Sequence, residues 1–234
     1  MALYALGDPH LSLGGNKAMD TFGGNWEGYV EKLRMGFSTL DPERDEVVLC
    51  GDISWGMSLE QALPDFQYLD EIFPGKKYLL KGNHDYWWTT ANKMMTFFRE
   101  NGLNRYALLH NNCQFYNGVA LCGTRGWFFE EEADGHNEKV FRREIMRLET
   151  SLKAAGEAEK LCFLHYPPRY QGYICQEIVD LLERYQVRAC YYGHLHGGSH
   201  RLAQEGRRGT VEYHLVAGDY INFVPQKVLD GPEN

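Results

Sequence analysis

The sequence lacks several features that would assign it to a specialised class of protein. None of its six cysteines forms a Cys-x-x-Cys pair, and several lie in apolar, strand-like runs, where cysteine acts as a small hydrophobic residue. A basic amino-terminal region of the signal-peptide type is missing, and no apolar run approaches the length of a membrane span. We therefore expect reduced cysteines, no membrane partner and a cytoplasmic protein.

Positive charge is also scarce, because 24 lysines and arginines face 32 aspartates and glutamates, for a formal net charge of -8. A protein whose affinity comes from neutralising many phosphates needs the opposite balance, although a local basic groove stays possible. The composition therefore argues against a nucleic-acid partner. Hydrophobic residues make up 44% of the 234 positions, enough for a substantial core, and we predict one domain over residues 1–234.

What the sequence does contain is an alternation of apolar strands and amphipathic helices. Apolar runs without alternation, such as residues 47–50, are typical of strands covered on both faces. Three β-loop-α units fill the first hundred residues and imply parallel pairing with right-handed crossovers. Short strands without intervening helices follow, and residues 210–228 are predicted to close the chain as a hairpin or meander. The predicted helices cover residues 25–40, 58–73, 86–101, about 138–155 and 171–185.

Polar side chains that suit metal chemistry follow five of the predicted strands. Because the carboxyl ends of parallel strands in one sheet meet at one edge, we expect these side chains to converge there. Five of the nine histidines belong to this set. In chain order, the strand ends deliver Asp8 and His10, then Asp52, then Asn83, His84 and Asp85, then His165, and finally His194 and His196.

These residue types suit a pair of divalent ions. Imidazole and carboxylate groups bind zinc, iron or manganese, and the absence of thiolates from the set argues against a structural zinc site. Asp-x-His and His-x-His place two donors on the same side of an extended segment, while Asp52 is positioned to bridge both ions. Two ions about 3.5–4 Å apart can hold a hydroxide and orient a phosphate. The pattern therefore predicts phosphoester hydrolysis.

The segment Gly82-Asn83-His84-Asp85 divides into separate roles in this interpretation. If Asn83 coordinates an ion through its side-chain oxygen, His84 cannot easily share the site as a ligand. We then expect His84 to face the phosphate, where it stabilises charge or protonates the leaving oxygen. Asp85 is predicted to be catalytic as well, by holding His84 in the required tautomer.

Simpler interpretations exist for each motif alone. Asp8-Pro9, Gly51-Asp52 and Gly82-Asn83 all suit ordinary turns or caps, but the five motifs in order favour the metal site. Aromatic residues near the site, Trp55, residues 86–88 and residues 127–129, are predicted to be core, with a wall for the substrate as the alternative.

Other polar residues leave their roles open. Arg125 either clamps a phosphate or pairs with the acidic run at residues 130–132, and that run is a solvated loop face or a lid. His200 and His214 are candidates for supporting the metal ligands.

Asp8-Pro9-His10, Gly51-Asp52, the Gly82 to Asp85 segment, His165 and Gly193-His194-Leu195-His196 together resemble the calcineurin-like metallophosphoesterase superfamily over about residues 1–200. The resemblance implies an α/β protein with a four-layer α/β/β/α sandwich, two mixed β-sheets flanked by helices and a metal site at the carboxyl ends of the strands. It also implies His84 as the catalytic histidine. The implied ligands are Asp8, His10, Asp52 and His196 for one ion, and Asp52, Asn83, His165 and His194 for the other.

The expected activity is hydrolysis of a small phosphomonoester or phosphodiester by in-line attack of a hydroxide that bridges two ions of manganese, iron or zinc. Ile53-Ser54-Trp55 lacks the acidic and arginine continuation of the protein serine/threonine phosphatases, which argues against a phosphoprotein substrate. One alternative is a non-catalytic scaffold that keeps the fold, but the sequence retains every ligand position. A nuclease is the other alternative, and the negative charge and small size count against it.

Overall fold

The apolar runs of the sequence form strands throughout the computed structural model, which describes residues 1–17, 19–128 and 135–231. Five of the strands in the described residues are buried along at least four successive residues, as the unbroken apolar runs predict. In chain order the strands of the described residues are β1 Ala2–Leu6, β2 Glu46–Cys50, β3 Lys76–Leu80, β4 Tyr106–Leu108, β5 Cys113–Tyr116, β6 Val119–Thr124, β7 Lys160–Leu164, β8 Arg169–Tyr170, β9 Tyr173–Ile174, β10 Val187–Tyr192, β11 Gly206–Arg208, β12 Val211–Leu215 and β13 Gln226–Asp230.

Two large sheets are built from these strands, and both are mixed. The first has the order β13-β1-β2-β3-β4 and is parallel except for β13, which runs antiparallel to β1. The second has the order β11-β12-β10-β7-β6-β5, with its four inner strands parallel and each edge strand antiparallel to its neighbour. Strands β8 and β9 form a separate two-stranded ribbon.

Helices cover the outer face of each sheet and thereby complete four layers. Their bounds are α1 Tyr29–Phe37, α2 Leu59–Ile72, α3 Ala91–Glu100, α4 Gly135–Ala154 and α5 Gln176–Arg184. Helices α1 to α3 pack on the first sheet in one apolar cluster, α4 and α5 pack on the second sheet in another, and a third cluster lies between the sheets. The predicted α/β/β/α sandwich is confirmed. Among the helices of the described residues, none combines the length and apolar character that crossing a membrane requires.

Three predicted helices begin later than the sequence pattern indicated. The helix predicted from residue 25 starts at Tyr29, after a 3-10 turn at Gly24–Trp26. The helix predicted from residue 86 starts at Ala91, where the Thr90 side chain accepts a hydrogen bond from the Lys93 backbone N–H at 3.4 Å. The helix predicted from residue 171 starts at Gln176, because β8 and β9 use the preceding residues. In contrast, α2 is capped by Ser58 as its sequence predicts.

The predicted closing hairpin at residues 210–228 is wrong. Strand β12 joins the second sheet beside β10, whereas β13 joins the first sheet beside β1. The last segment therefore crosses from one sheet to the other. The Gly7 backbone N–H donates to the Val216 carbonyl at 2.7 Å, so the ends of β1 and β12 lie together although they belong to different sheets. The predicted donors accordingly meet between two sheet edges and not along one sheet.

Candidate metal centre

Residues that follow β1, β2, β7 and β10 bring carboxylate and imidazole groups together at this shared edge. Asp52 Oδ2 lies 3.5 Å from His10 Nε2 and also 3.5 Å from His165 Nε2. Asp8 Oδ1 lies 3.7 Å from His196 Nε2 and 3.6 Å from His165 Nδ1. The ligand atoms of the described residues thus form three overlapping groups that could each hold an ion. The groups are Asp8, His10 and His196; Asp8, Asp52 and His165; and His196, His200 and Asp219.

Unusual backbone conformations aim these side chains inward. Asp8, His10, Asp52 and His194 all have positive φ, at 57°, 45°, 50° and 72°. Left-handed backbone costs roughly 1 kcal/mol or more for a residue with a side chain, and such strain collects at functional sites. Four of the nine predicted site residues are therefore strained. This indicates that the placement of their side chains outweighs the stability that the strained backbone costs.

Glycine is required at two places where the strand-end loops approach the carboxylates. A Cβ added to Gly82 would collide with Asp52 Oδ1 and its backbone nitrogen, and a Cβ added to Gly193 would collide with Asp8 Oδ2. Gly82 does not have a positive φ, so a left-handed turn is not the reason for a glycine at this position. The reason is that only a residue without a Cβ leaves room for the Asp52 carboxylate.

Two buried polar atoms of the site have no hydrogen-bond partner among the described residues, which is unfavourable unless a cation binds there. Asp8 Oδ1 and His196 Nε2 are buried and, among the described residues, accept or donate no hydrogen bond. The ring of His165 faces acceptors on both sides, with the Cys50 carbonyl 3.1 Å from Nδ1 and Asn83 Oδ1 2.6 Å from Nε2. A neutral imidazole carries one N–H, so it can satisfy only one of them. A divalent ion fits this donor set, because it would take the remaining lone pairs.

Burial keeps most of the imidazoles neutral, which is the state that binds metals. Burial, with smaller contributions from neighbouring histidines, lowers the pKa of His194 to about 2, and burial lowers the pKa of His165 to about 3 although the Cys50 carbonyl opposes it. Burial also lowers the pKa of His196, but Asp8 and Asp219 outweigh it and raise that pKa to about 8.

Burial raises the pKa values of the two central carboxyl groups, the opposite of its effect on the imidazoles. Burial raises the pKa of Asp8 well above its usual value, against the attraction of His196, and burial likewise raises the pKa of Asp52. Two carboxylates held close together in a buried site repel each other, and a bound cation would remove that repulsion.

Two predicted ligands and His84 lie beside these groups. Asn83 reaches the centre through its contact with His165. The ring of His194 lies 5.1 Å from that of His165, although its nitrogens belong to none of the three groups. His84 donates its backbone N–H to Asp52 Oδ1 at 2.7 Å, while its ring stands at the half-exposed margin of the site, with Nδ1 3.2 Å from the Tyr86 hydroxyl.

The predicted contact between Asp85 and the His84 ring is wrong. Both carboxylate oxygens of Asp85 are occupied by N–H donors, and the His84 ring turns instead to Tyr86. Asp85 is almost completely buried, and burial followed by the charge of Asp52 raises its pKa to about 7. The donors to Asp85 are the backbone N–H groups of Gly82, Asp52, Ile53 and Ser54 and the indole of Trp87. Asp85 therefore ties the β2 and β3 loops together.

Asp219 is a site residue that the sequence interpretation missed. Its Oδ1 lies 2.8 Å from His196 Nδ1, and its Oδ2 accepts the Gly197 N–H at 2.9 Å and lies 3.1 Å from His200 Nε2. A carboxylate on Nδ1 fixes the tautomer and leaves Nε2 to bind an ion. The sequence does contain a pattern that predicts this site residue, because Gly218-Asp219 follows an apolar strand as Gly51-Asp52 does. It was missed because that strand was assigned to a closing hairpin or meander.

Replacing Asp219 with asparagine is expected to weaken divalent-ion binding by about 10- to 100-fold, the usual effect of losing a carboxylate that orients a ligating histidine. Competition between the protein and a fluorescent chelator for manganese would measure the change. Asp180→Asn, at an exposed position of α5, is the control. Equal affinities for the two variants would contradict the orienting role.

Two of the predicted aromatic candidates contact the centre, since the Trp55 ring stacks on His10 at 5.1 Å and the Phe128 ring lies 5.3 Å from that of His194. Other candidates have their contacts elsewhere. Trp87 and Trp127 are core residues, and the His214 ring stacks on Tyr191 at 4.9 Å, among surface carboxylates. Arg125 lines a separate cavity of about 120 Å³ with Lys81 and other residues. The acidic run at residues 130–132 lies outside the described residues.

An α/β/β/α sandwich with buried imidazole and carboxylate donors at the shared edge of its sheets defines a candidate metal-dependent phosphoesterase. Residues 1–198 match the family profile described as calcineurin-like phosphoesterase, and the chain belongs to this family. Among curated proteins, no match to the chain is found.

Three solved structures show the same fold. A protein of unknown function from Aquifex aeolicus, AQ665, is 13% identical with a TM-score of 0.51, and the match covers 97% of this chain and 95% of that one. The protein TT1561 of Thermus thermophilus is 13% identical with a TM-score of 0.50, over 90% and 86% of the two chains. Purple acid phosphatase PPD1 from yellow lupin, Lupinus luteus, is 11% identical with a TM-score of 0.50, over all of this chain and 46% of that one.

Proposed function

We propose that this chain uses two divalent ions of manganese, iron or zinc to hydrolyse a small phosphomonoester or phosphodiester. The observation that carries the proposal is the position of Asp52 Oδ2, at 3.5 Å from the Nε2 atoms of both His10 and His165. A bridging ligand needs one carboxylate oxygen within reach of side chains that would bind different ions, and His10 and His165 are assigned to different ions here. Family membership supports the same class of reaction.

The residues divide between two binding positions that share Asp52. When bound, the ions supply Lewis acidity toward a phosphoryl oxygen and lower the pKa of water. The protein's own contribution is to hold imidazole and carboxylate groups at fixed positions before the substrate arrives. Asp8, His10, Asp52 and His196 form the first position, and Asp52, Asn83, His165 and His194 form the second.

His84 is the residue we assign to the phosphate. Its backbone is fixed by Asp52 and its Nδ1 by Tyr86, which leaves Nε2 to face the substrate. Burial lowers the pKa of the ring, and although Asp52 raises it, the nearby Lys17 lowers it further. His84 is therefore neutral at pH 7, and its Nε2–H can donate to a phosphoryl or leaving oxygen.

His84→Ala is expected to lower kcat by about 10²- to 10⁴-fold, the usual contribution of a positioned acid or base, while both ions stay bound. The measurement is hydrolysis of bis(p-nitrophenyl) phosphate by manganese-loaded enzyme, with elemental analysis of the same samples. His214→Ala, at a site distant from the centre, is the control and should keep the wild-type rate. An unchanged rate in the His84 variant would show that the assignment is wrong.

The same enzyme preparations distinguish the two alternative functions, a non-catalytic scaffold and a nuclease. Manganese-loaded wild type that holds its ions but hydrolyses no phosphoester would favour a non-catalytic scaffold. Cleavage of single-stranded DNA that is lost with His84→Ala would favour a nuclease.

We also propose a cytoplasmic location. Its support is that all six cysteines are free thiols and five of them are buried, as expected in a reducing compartment.

A further inference from the structure

A cavity of about 710 Å³ opens directly beside the candidate metal centre. Its inner wall includes His10, His84 and His196, and Asp219 lies at the same end. The remainder is formed mainly by the segment between β1 and α1, together with Trp55 from the loop after β2. Its volume lies within the range of small-molecule sites, about 300–1,000 Å³.

The outer wall of this cavity consists of apolar and aromatic side chains. Trp26 lies against the ligand residues, with its ring 5.6 Å from that of His10 and 5.4 Å from that of His196. Trp55 lies 4.3 Å from the His84 ring. The His10 ring contacts both indoles, at 5.6 Å from Trp26 and stacked at 5.1 Å from Trp55. A group that binds in the cavity therefore lies next to the residues assigned to the ions and the phosphate. Met19 and Phe22 complete the apolar part of the lining.

Phe22 is exposed in a way that core packing does not explain. It ends the short 3-10 helix Met19–Phe22 and is 73% exposed to solvent although it lines the cavity. Gly23 and Gly24, with φ of 63° and 59°, turn the chain directly after it. An aromatic side chain held at the rim of a site by a local turn is placed to contact a ligand more than to stabilise the fold.

We propose that this cavity binds an aromatic ring in the organic group of the phosphoester, which makes the substrate an aryl or heteroaryl phosphate ester. The inference rests on the proposed function, since it needs the phosphate at the metal centre. The exposed Phe22 ring can stack on a flat ring, and the indoles beside it add dispersion contacts that a flexible alkyl chain uses less well. Lys17 is one cation at this wall, with its Nζ 3.5 Å from the centroid of the Trp55 ring. The apolar side chains Met19, Phe22 and Trp26 give a charged organic group no counter-charge in return for its lost hydration.

The test compares phosphonates that present the same charged group with different organic substituents. Calorimetric titration of manganese-loaded enzyme should show phenylphosphonate binding about tenfold more tightly than methylphosphonate, as partial burial of one aromatic ring provides. Hexylphosphonate, which has the same number of carbon atoms as the phenyl compound, should bind more weakly than phenylphosphonate. Hexylphosphonate binding as tightly as phenylphosphonate would overturn the preference for a ring.

Phe22→Ala should reduce the preference for phenylphosphonate over methylphosphonate by about threefold, while leaving the affinity for methylphosphonate unchanged. Phe115→Ala is the matched control, because Phe115 is also exposed, at 52%, but lies on β5 outside the cavity lining. Equal preference in the Phe22 variant, the Phe115 variant and the wild type would overturn the assignment of this cavity.

Failure of this inference and failure of the proposed function are distinguishable. If methylphosphonate binds to the metal-loaded enzyme and phenylphosphonate binds no more tightly, the aromatic site is wrong and the phosphate site stands. If neither phosphonate binds and no phosphoester is hydrolysed, the proposed function itself fails, and the aromatic inference fails with it.

Discussion

Asp52→Asn is expected to reduce phosphoester hydrolysis by about 10³-fold or more. A bound ion contributes several kcal/mol of charge stabilisation to a phosphoryl-transfer transition state, and each 1.36 kcal/mol corresponds to about a factor of ten. Asp52 stands between His10 and His165, so the loss of its charge affects both ion positions together. The measurement is kcat/KM on bis(p-nitrophenyl) phosphate over a range of manganese concentrations.

Two controls separate this effect from a general loss of structure. Asp180→Asn removes one carboxylate from an exposed helical position and should leave kcat/KM unchanged. The circular dichroism spectrum of the Asp52 variant should match that of the wild type. Wild-type kcat/KM in the Asp52 variant would rule out a bridging role for this carboxylate.

Asp85→Asn is expected to lower the free energy of unfolding by about 2–4 kcal/mol, because the new amide presents N–H groups to backbone and indole N–H donors. Five donors converge on the Asp85 carboxylate, which is 1% exposed. The side-chain oxygen of asparagine can accept hydrogen bonds from some of these five N–H groups. The others would face the side-chain NH2 group, which is itself a donor. Urea unfolding followed by fluorescence would measure the difference.

The control for Asp85 is again Asp180→Asn, whose effect should fall within about 0.5 kcal/mol of zero, as surface substitutions usually do. The two variants make the same chemical change at a buried and at an exposed site. A stability loss below about 1 kcal/mol for Asp85→Asn would contradict the structural role described above, and would return Asp85 to consideration as a catalytic group.

The position of the site could be predicted from the sequence because strand ends are encoded locally. An apolar run followed by Gly51-Asp52 or Gly193-His194 shows both where the strand stops and which donor follows. The same logic places Asp8 and His165 at the site. Within one sheet, convergence needs no knowledge of strand order, since the carboxyl ends of parallel strands share an edge. That the edges of the two sheets meet, as Gly7 and Val216 do, could not be predicted in this way.

Partnerships between side chains could not be predicted in this way, because they depend on tertiary geometry. Asp85 is adjacent to His84 in sequence, yet its carboxylate turns toward backbone N–H groups from another loop. Asp219 is 23 residues from His196 and contacts it only because β12 ends beside β10. The apolar cavity likewise depends on the residues that precede the predicted helix at 25–40, which have no periodic pattern.

Metal content gives the most direct test of the central claim that one carboxylate joins two ions. Elemental analysis of protein reconstituted with manganese and freed of excess ion should find two ions per chain for the wild type and fewer for Asp52→Asn, with activity rising until the second ion is bound. One ion per chain with full activity, or two ions retained by the Asp52 variant, would contradict the account.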